Sequence, residues 1–314
     1  MSGKQIATII KPDAHGLERA VARLEQGGLV AVPTETVYGL AARADNAAAV
    51  AGIYRAKGRP DFNPLITHIH SLAQAEHYAV LDERAHLLAE HFWPGPLTMV
   101  LPRREGAGLA PAVMAGLPTI ALRMPRHRVM RALLKSVPFP LAAPSANRSG
   151  GVSPTSVDHV ANSLGNAVDI ILDGGSCEAG LESTIVALRP EGEWSLLRPG
   201  PLDRAQLANL LGRAEMTDKR GIEAPGQLAS HYAPGKPVRL NATHAKDNEV
   251  MIGFGPIPGR WSLSEEGDLM EAAFRLYDCL HLAAAAEESA IAIAPLPEIG
   301  IGQAINDRLR RAAA

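Results

Sequence analysis

The stretch from Gly16 to Gly58, GLERAVARLEQGGLVAVPTETVYGLAARADNAAAVAGIYRAKG, carries the pattern that decides the fold. Leu17, Ala20, Val21 and Leu24 recur at helical spacing and stop at Gly27-Gly28, which predicts an amphipathic helix closed by glycine. Leu29-Val30-Ala31-Val32 follows with no polar residue, which predicts a buried strand ended by Pro33. Asn46 is placed to cap a second helix that runs to about Lys57 and is closed by Gly58 and Pro60.

The alternation continues on the C-terminal side. Strand-like runs at Pro64–Ile69, Leu97–Leu101, Thr119–Met124, Val168–Leu172 and Thr184–Leu188 are interleaved with helical patterns around Glu83–His91, His127–Ser136 and Ser156–Leu164. Their irregular order predicts an α/β domain over residues 1–212 with a mixed rather than purely parallel twisted sheet. Residues 213–237 hold Pro225-Gly226, Pro234-Gly235 and Pro237 without sustained periodicity and read as a linker. Residues 238–314 read strand (Val250–Phe254), helix (Gly267–Ala286), strand (Ala290–Ala294), helix (Gly302–Arg311). That is a small Rossmann-like βαβα domain with parallel strands.

Composition narrows the function. Of 314 residues, 46% are apolar, ample for a buried core, so disorder as the main state is excluded. The net charge of −2 offers no global case for a nucleic-acid binder. Locally, no Asp or Glu occurs between Glu105 and Asp158, a stretch that holds Arg123, Arg126, Arg128, Arg131, Lys135 and Arg148. Charge alone leaves a phosphate or carboxylate site and a solvated basic face equally open. Cys177 and Cys279 match no metal or redox spacing and favour a reducing compartment. The apolar runs fall short of the ~20 residues a membrane span requires, and the N-terminus has no signal-peptide pattern, so the expectation is a soluble cytoplasmic protein with no membrane partner. No phosphate loop, GxGxxG, GxSxG, HExxH or CxxC is present, so any nucleotide is held by other means.

Polar residues collect instead at strand ends. Pro33-Thr34-Glu35-Thr36-Val37-Tyr38 follows the first strand, where hydroxyls suit either a pocket lip or a turn. Lys57 and Arg59 end a helix, where the dipole alone accounts for cations, although Gly58 and Pro60 also fix both to face a polyanion. His68 stands on the next strand, and a lone strand His is ordinarily structural. Arg123 lies inside an apolar strand and requires an internal carboxylate or a bound anion, the acid-free surroundings favouring the anion. Ala143-Pro144-Ser145-Ala146-Asn147-Arg148-Ser149-Gly150-Gly151 can present backbone N–H groups to phosphate, with Ser153 or Thr155 alternatively capping the next helix. Glu182-Ser183-Thr184 opens a strand and Leu197-Arg198-Pro199-Gly200 closes another. Singly weak, together they point to one cavity with phosphate affinity.

PTETVYGL, KGRPDFNPL, FWPGPLT, TIALRMP, PSANRSG, ESTIV and LRPG occur in that order, and the combination resembles the YrdC-like threonylcarbamoyl-AMP synthase family in its long form. The resemblance is dense from Ala20 to Leu211, resumes at Ala224–Pro234 and ends at Ala304–Leu309, with Gln227-Leu228 departing from the family's usual Met and bulkier residue. It implies a YrdC-like sheet domain with an added C-terminal domain. It implies synthesis of L-threonylcarbamoyladenylate from L-threonine, bicarbonate and ATP, with downstream proteins transferring the group to tRNA. Thr36, His68, Arg123, Ala143 and Ser183 would then line the threonine pocket, Arg123 holding the carboxylate. Arg59, Asn63, Thr119, Ser145, Ser153 and Arg198 would contact ATP, and Tyr232 would close over it. Lys57, Arg59, Ser145 and Asn147 match the family's Lys-x-Arg and Ser-x-Asn signature, with Lys57 and Arg59 stabilising phosphoryl charge. Mg²⁺ would ride mainly on ATP rather than on protein carboxylates.

Two other readings stand beside it. A YrdC-like RNA-binding module could use the same basic face without catalysis, although 4% aromatic content argues against base stacking. A hydrogenase-maturation carbamoyltransferase would also carry acylphosphatase and zinc-finger modules, and neither pattern occurs here.

Overall fold

The computed structural model describes residues 7–189, 191–212, 221–227 and 230–314. The large domain begins β1 (Thr8–Ile10), α1 (Ala14–Glu25), β2 (Val30–Val32), β3 (Gly39–Arg43), α2 (Ala47–Lys57) and β4 (Ile66–His68). It continues α3 (Leu72–Tyr78), α4 (Glu83–Phe92), β5 (Leu97–Pro102), β6 (Thr119–Arg123), α5 (Arg128–Lys135) and β7 (Leu141–Ala142). It closes with α6 (Val157–Leu164), β8 (Ile170–Leu172), β9 (Thr184–Leu188), β10 (Trp194–Arg198) and α7 (Arg204–Leu211). The ten strands form one sheet, ordered β1-β8-β2-β3-β7-β4-β6-β5-β9-β10. Parallel pairs such as β4–β6 and β5–β9 alternate with antiparallel ones such as β5–β6 and β4–β7, so the sheet is mixed as expected.

Local chemistry explains most boundaries. Asn46 accepts a hydrogen bond from the Ala49 amide at 3.0 Å and Gly58 ends α2 at φ +58°, the left-handed turn that glycine adopts without strain. Asp13 caps Gly16, so α1 starts at Ala14, ahead of the glycine the apolar stripe suggests. Ser156 caps α6, and neither Ser153 nor Thr155 does. Four elements carry too little periodicity to read: β1, β3, the short α3 behind Ser71, and α7 with its Asp203/Gln206 capping box.

The smaller domain comprises β11 (Val238–Arg239), β12 (Glu249–Gly253), β13 (Trp261–Ser262), α8 (Leu269–Ala285), β14 (Ala290–Ile293) and α9 (Gly302–Ala312). Its sheet runs β11-β14-β12-β13, every pair parallel, the predicted βαβα unit widened by two two-residue edge strands. Of the expected linker, 213–220 and 228–229, including Leu228, lie outside the described residues, and the described remainder up to Pro237 contains no helix or strand.

The two domains share packing. Val37, Val152, Leu181 and Tyr232 join the apolar cluster built on β12, β14, α8 and α9. At Gly180 the approach leaves no room for a side chain: a Cβ would meet the Ala273 carbonyl oxygen of α8 at 2.3 Å, and φ is +68°. Gly180→Ala is expected to destabilise the chain by about 1–3 kcal/mol through overpacking and backbone strain. Chemical denaturation checks it, and an unshifted midpoint would show that α8 does not sit against this turn in solution.

Candidate active site

A cavity opens where β4, β6 and β7 meet the turns after β2 and α2, the turn before β9 and the end of β10. In-register pairing of His68 with Arg123 sets the two side by side, and Ile66 continues the same wall. Arg59, Ala143, Ser145, Glu182 and Arg198 complete it, and Pro225, Gly226, His231 and Tyr232 cover it. The strand ends singled out in the sequence therefore do converge.

One end of the cavity is built on an ion pair. Arg123 Nη2 donates to Glu35 Oε1 at 2.6 Å, with both side chains buried, and Glu35 Oε2 accepts from the Arg126 and His127 amides at 3.1 and 3.2 Å. Arg123 thus has its internal carboxylate, which comes from outside the acid-free stretch, yet its Nη1 has no partner among the described residues. Burial opposes the Glu35 charge, but the Arg123 guanidinium outweighs it and holds the carboxyl below its usual range. Burial, helped by Arg123, depresses His68 to about 3, so its imidazole is neutral at pH 7. Its Nδ1 is buried without a hydrogen-bond partner. A neutral imidazole beside a half-satisfied guanidinium suits an amino-acid carboxylate and its neighbouring polar groups.

The other end carries unpaired positive charge. Arg59 donates Nε to the Asn63 carbonyl at 3.1 Å and Nη2 to the Pro64 carbonyl at 2.8 Å. Burial lowers its pKa to about 10, which still leaves it cationic. Arg198 is pinned by Ser183 O and Oγ, both at 3.0 Å, and by Pro225 O at 3.3 Å. Tyr232 sits at φ +64°, strained for a non-glycine residue, with its hydroxyl buried and unpartnered. Its neighbour Ala233 bonds to Gly150 O at 2.8 Å, tying the cover to the Ser145–Gly151 loop.

The remaining expected residues take other places. Lys57 does not wall the cavity: Nζ donates to Ser145 O at 2.6 Å, Asn147 O at 2.5 Å and Asn147 Oδ1 at 3.4 Å. Nζ thus holds that loop, a supporting role beside the expected contact of Lys57 with phosphoryl charge. Asn147 is used in the same way, its Nδ2 bonding Arg148 O and Gly151 O at 2.9 and 2.8 Å. Ser153 donates to Glu182 Oε1 at 2.5 Å and is likewise off the wall. The Thr36 hydroxyl meets that of Thr34 at 2.8 Å, and Ser183 meets Thr98 at 2.7 Å, each beside a wall residue. Asn63 is buried with Oδ1 unpartnered, and Thr119 shares the Arg123 face of β6 roughly 13 Å further along at ~3.3 Å per residue, beyond the wall.

The structure also adds residues that pattern reading did not assign: Glu182, His231, Tyr277 and Arg308. Arg308 Nε bonds Glu182 Oε2 at 2.8 Å across 126 positions of sequence, and no local signal marks such a pair. Among the described residues no three His, Cys, Asp or Glu are grouped to hold a metal, and Glu35 and Glu182 are both committed to arginines. The donor set therefore does not form a cation cage.

Known proteins resemble this chain over nearly its whole length. The family model described as telomere recombination matches residues 22–200, and that of the threonylcarbamoyl-AMP synthase C-terminal domain matches 202–314. Threonylcarbamoyl-AMP synthase from Bacillus subtilis is 36% identical, covering 95% of this chain and 92% of that protein. The Pyrococcus abyssi synthase is 38% identical, covering 92% of each. The crystal structure of Pyrococcus abyssi Sua5 complexed with L-threonine superposes at a TM-score of 0.88 with 35% identity, covering 98% of this chain and 97% of that one. With both domain models matched end to end and the fold shared throughout, the chain belongs to the threonylcarbamoyl-AMP synthase family, in the long form that carries the C-terminal domain.

Proposed function

We propose that this chain is an L-threonylcarbamoyladenylate synthase, a nucleotidyltransferase that joins L-threonine, bicarbonate and ATP and releases pyrophosphate. The carrying observation is the two-ended cavity, with a half-satisfied Arg123 at one end and Arg59 with Arg198 at the other under Tyr232. Threonine places its carboxylate on Arg123 Nη1. Its amine attacks the bicarbonate carbon, and loss of water leaves a carbamate. A carbamate oxygen then attacks the α-phosphorus, the bond to the β-phosphate oxygen breaks, and pyrophosphate leaves with the charge. No step needs a covalent enzyme intermediate, so positioning and fixed charge carry the catalysis.

Arg59 and Arg198 face the phosphates, and Mg²⁺ enters as part of the nucleotide substrate. His231 and Tyr232 exclude water from a product that is a mixed anhydride and hydrolyses readily. The product then passes to proteins that transfer the threonylcarbamoyl group to tRNA.

Pyrophosphate release from Mg·ATP and bicarbonate, with L-threonine, with L-serine and with neither, tests the reading. Release is expected to depend on threonine, to be weaker with serine, and to disappear in Arg59→Ala. A folded protein that releases no pyrophosphate under any of these conditions would sink the synthase and leave RNA binding as the reading.

A further inference from the structure

We infer that Arg308, in the last helix of the small domain, is a positioning residue for the nucleotide half of the cavity, because it cancels the Glu182 charge on the wall and steadies Tyr232 across it. This rests on reading the cavity as an ATP site. Glu182 walls the cavity, and a carboxylate there opposes a triphosphate. Its Oε1 is held from the large domain by Ser153, but Oε2 receives Arg308 Nε at 2.8 Å and the Tyr277 hydroxyl at 2.7 Å, both from the small domain.

Arg308 is wholly buried and fully directed. Nη1 meets Asp307 at 2.7 Å, Nη2 meets the Pro199 carbonyl at 2.9 Å, and Cζ lies 5.2 Å from the centre of the Tyr232 ring. Tyr277 stacks on the other side of this arrangement, 5.8 Å from Tyr232. Burial works against the Glu182 charge, yet Arg308 and Arg198 hold its pKa down to about 2, so it is an anion at every working pH.

On the wall, Arg59, Arg123 and Arg198 face the Glu182 carboxylate, and Arg308 is the ion-pair partner that offsets that carboxylate from behind, with Asp307 held on its other nitrogen. The small domain thereby neutralises the carboxylate that walls the cavity, without a residue of its own on the wall.

The test uses the full chain, with ATP and L-threonine titrated separately by calorimetry and thermal melting as the check on folding. Arg308→Met is expected to weaken ATP binding at least about tenfold, since it leaves a buried charge unpaired, and to leave threonine affinity within about threefold. Arg308→Lys keeps the charge and should lose less. The deciding variant is Arg308→Met combined with Glu182→Gln, which removes both charges. Recovery of ATP affinity to within about threefold of the parent follows from charge cancellation, whereas a pair that only docks the domains leaves the double variant as weak as the single one. Unchanged ATP affinity in Arg308→Met, or no recovery in the folded double variant, overturns the inference. Absence of ATP binding by the parent chain overturns the reading of the cavity instead.

Discussion

Arg123→Ala is expected to abolish threonine binding and to cost about 3–5 kcal/mol of stability, because it strands Glu35 as an uncompensated charge with a wholly buried side chain. The two effects have different causes and separate experimentally. Adding Glu35→Gln to Arg123→Ala removes the stranded charge and should restore most of the stability, but not threonine affinity, because the guanidinium edge that faces the cavity is still missing. Denaturant melts read the first effect and calorimetric titration with L-threonine reads the second. If the double variant binds threonine normally, Arg123 serves only the fold.

The pH dependence carries a sign. In the parent the Glu35 pKa is lowered, so its contribution to stability is present above the unfolded carboxyl value and is lost as pH falls through the folded one. In Arg123→Ala the surviving burial raises that pKa, so the deficit should be largest at neutral pH and shrink on acidification.

Lys57→Met is expected to lower pyrophosphate release by about a hundredfold, the scale of a displacement near 1 Å in a catalytic element. Met matches the stem but offers no proton, which leaves the Ser145 and Asn147 carbonyls and Asn147 Oδ1 without their donor. Ser145 would drift from the cavity wall, and Tyr232 with it, because its neighbour Ala233 is bonded to Gly150. Threonine binding at Arg123 should survive, so the loss falls on kcat and on ATP. Hydrogen exchange across residues 145–151 should accelerate in parallel. A variant that loses activity with this loop as protected as in the parent would instead put Lys57 in direct contact with the nucleotide.

Much of the site was legible because it is made of local patterns. Arg59, His68, Arg123, Ser145 and Arg198 sit where apolar runs stop, and the structure brings all five to one cavity. Lys57 was legible as a residue, but its bonds to a loop 88 to 90 residues away were not, because a helix-terminal lysine looks the same in sequence with or without them. The Ser153 bond to Glu182 was not legible either, since a hydroxyl that donates to a residue 29 positions away carries no mark of it in its neighbours along the chain.

By itself the sequence determined the α/β alternation, the mixed character of the large sheet and the parallel βαβα unit, because apolar periodicity, caps and glycine stops act over a few residues. It also identified the family, through seven motifs in fixed order. Only the tertiary structure decided which charges are paired. Arg123 finds Glu35 88 positions away and Arg308 finds Glu182 126 positions away, and each pairing decides whether a buried charge serves the fold or a ligand. Electrostatic pairing acts through space and burial, and the order of residues along a chain records neither.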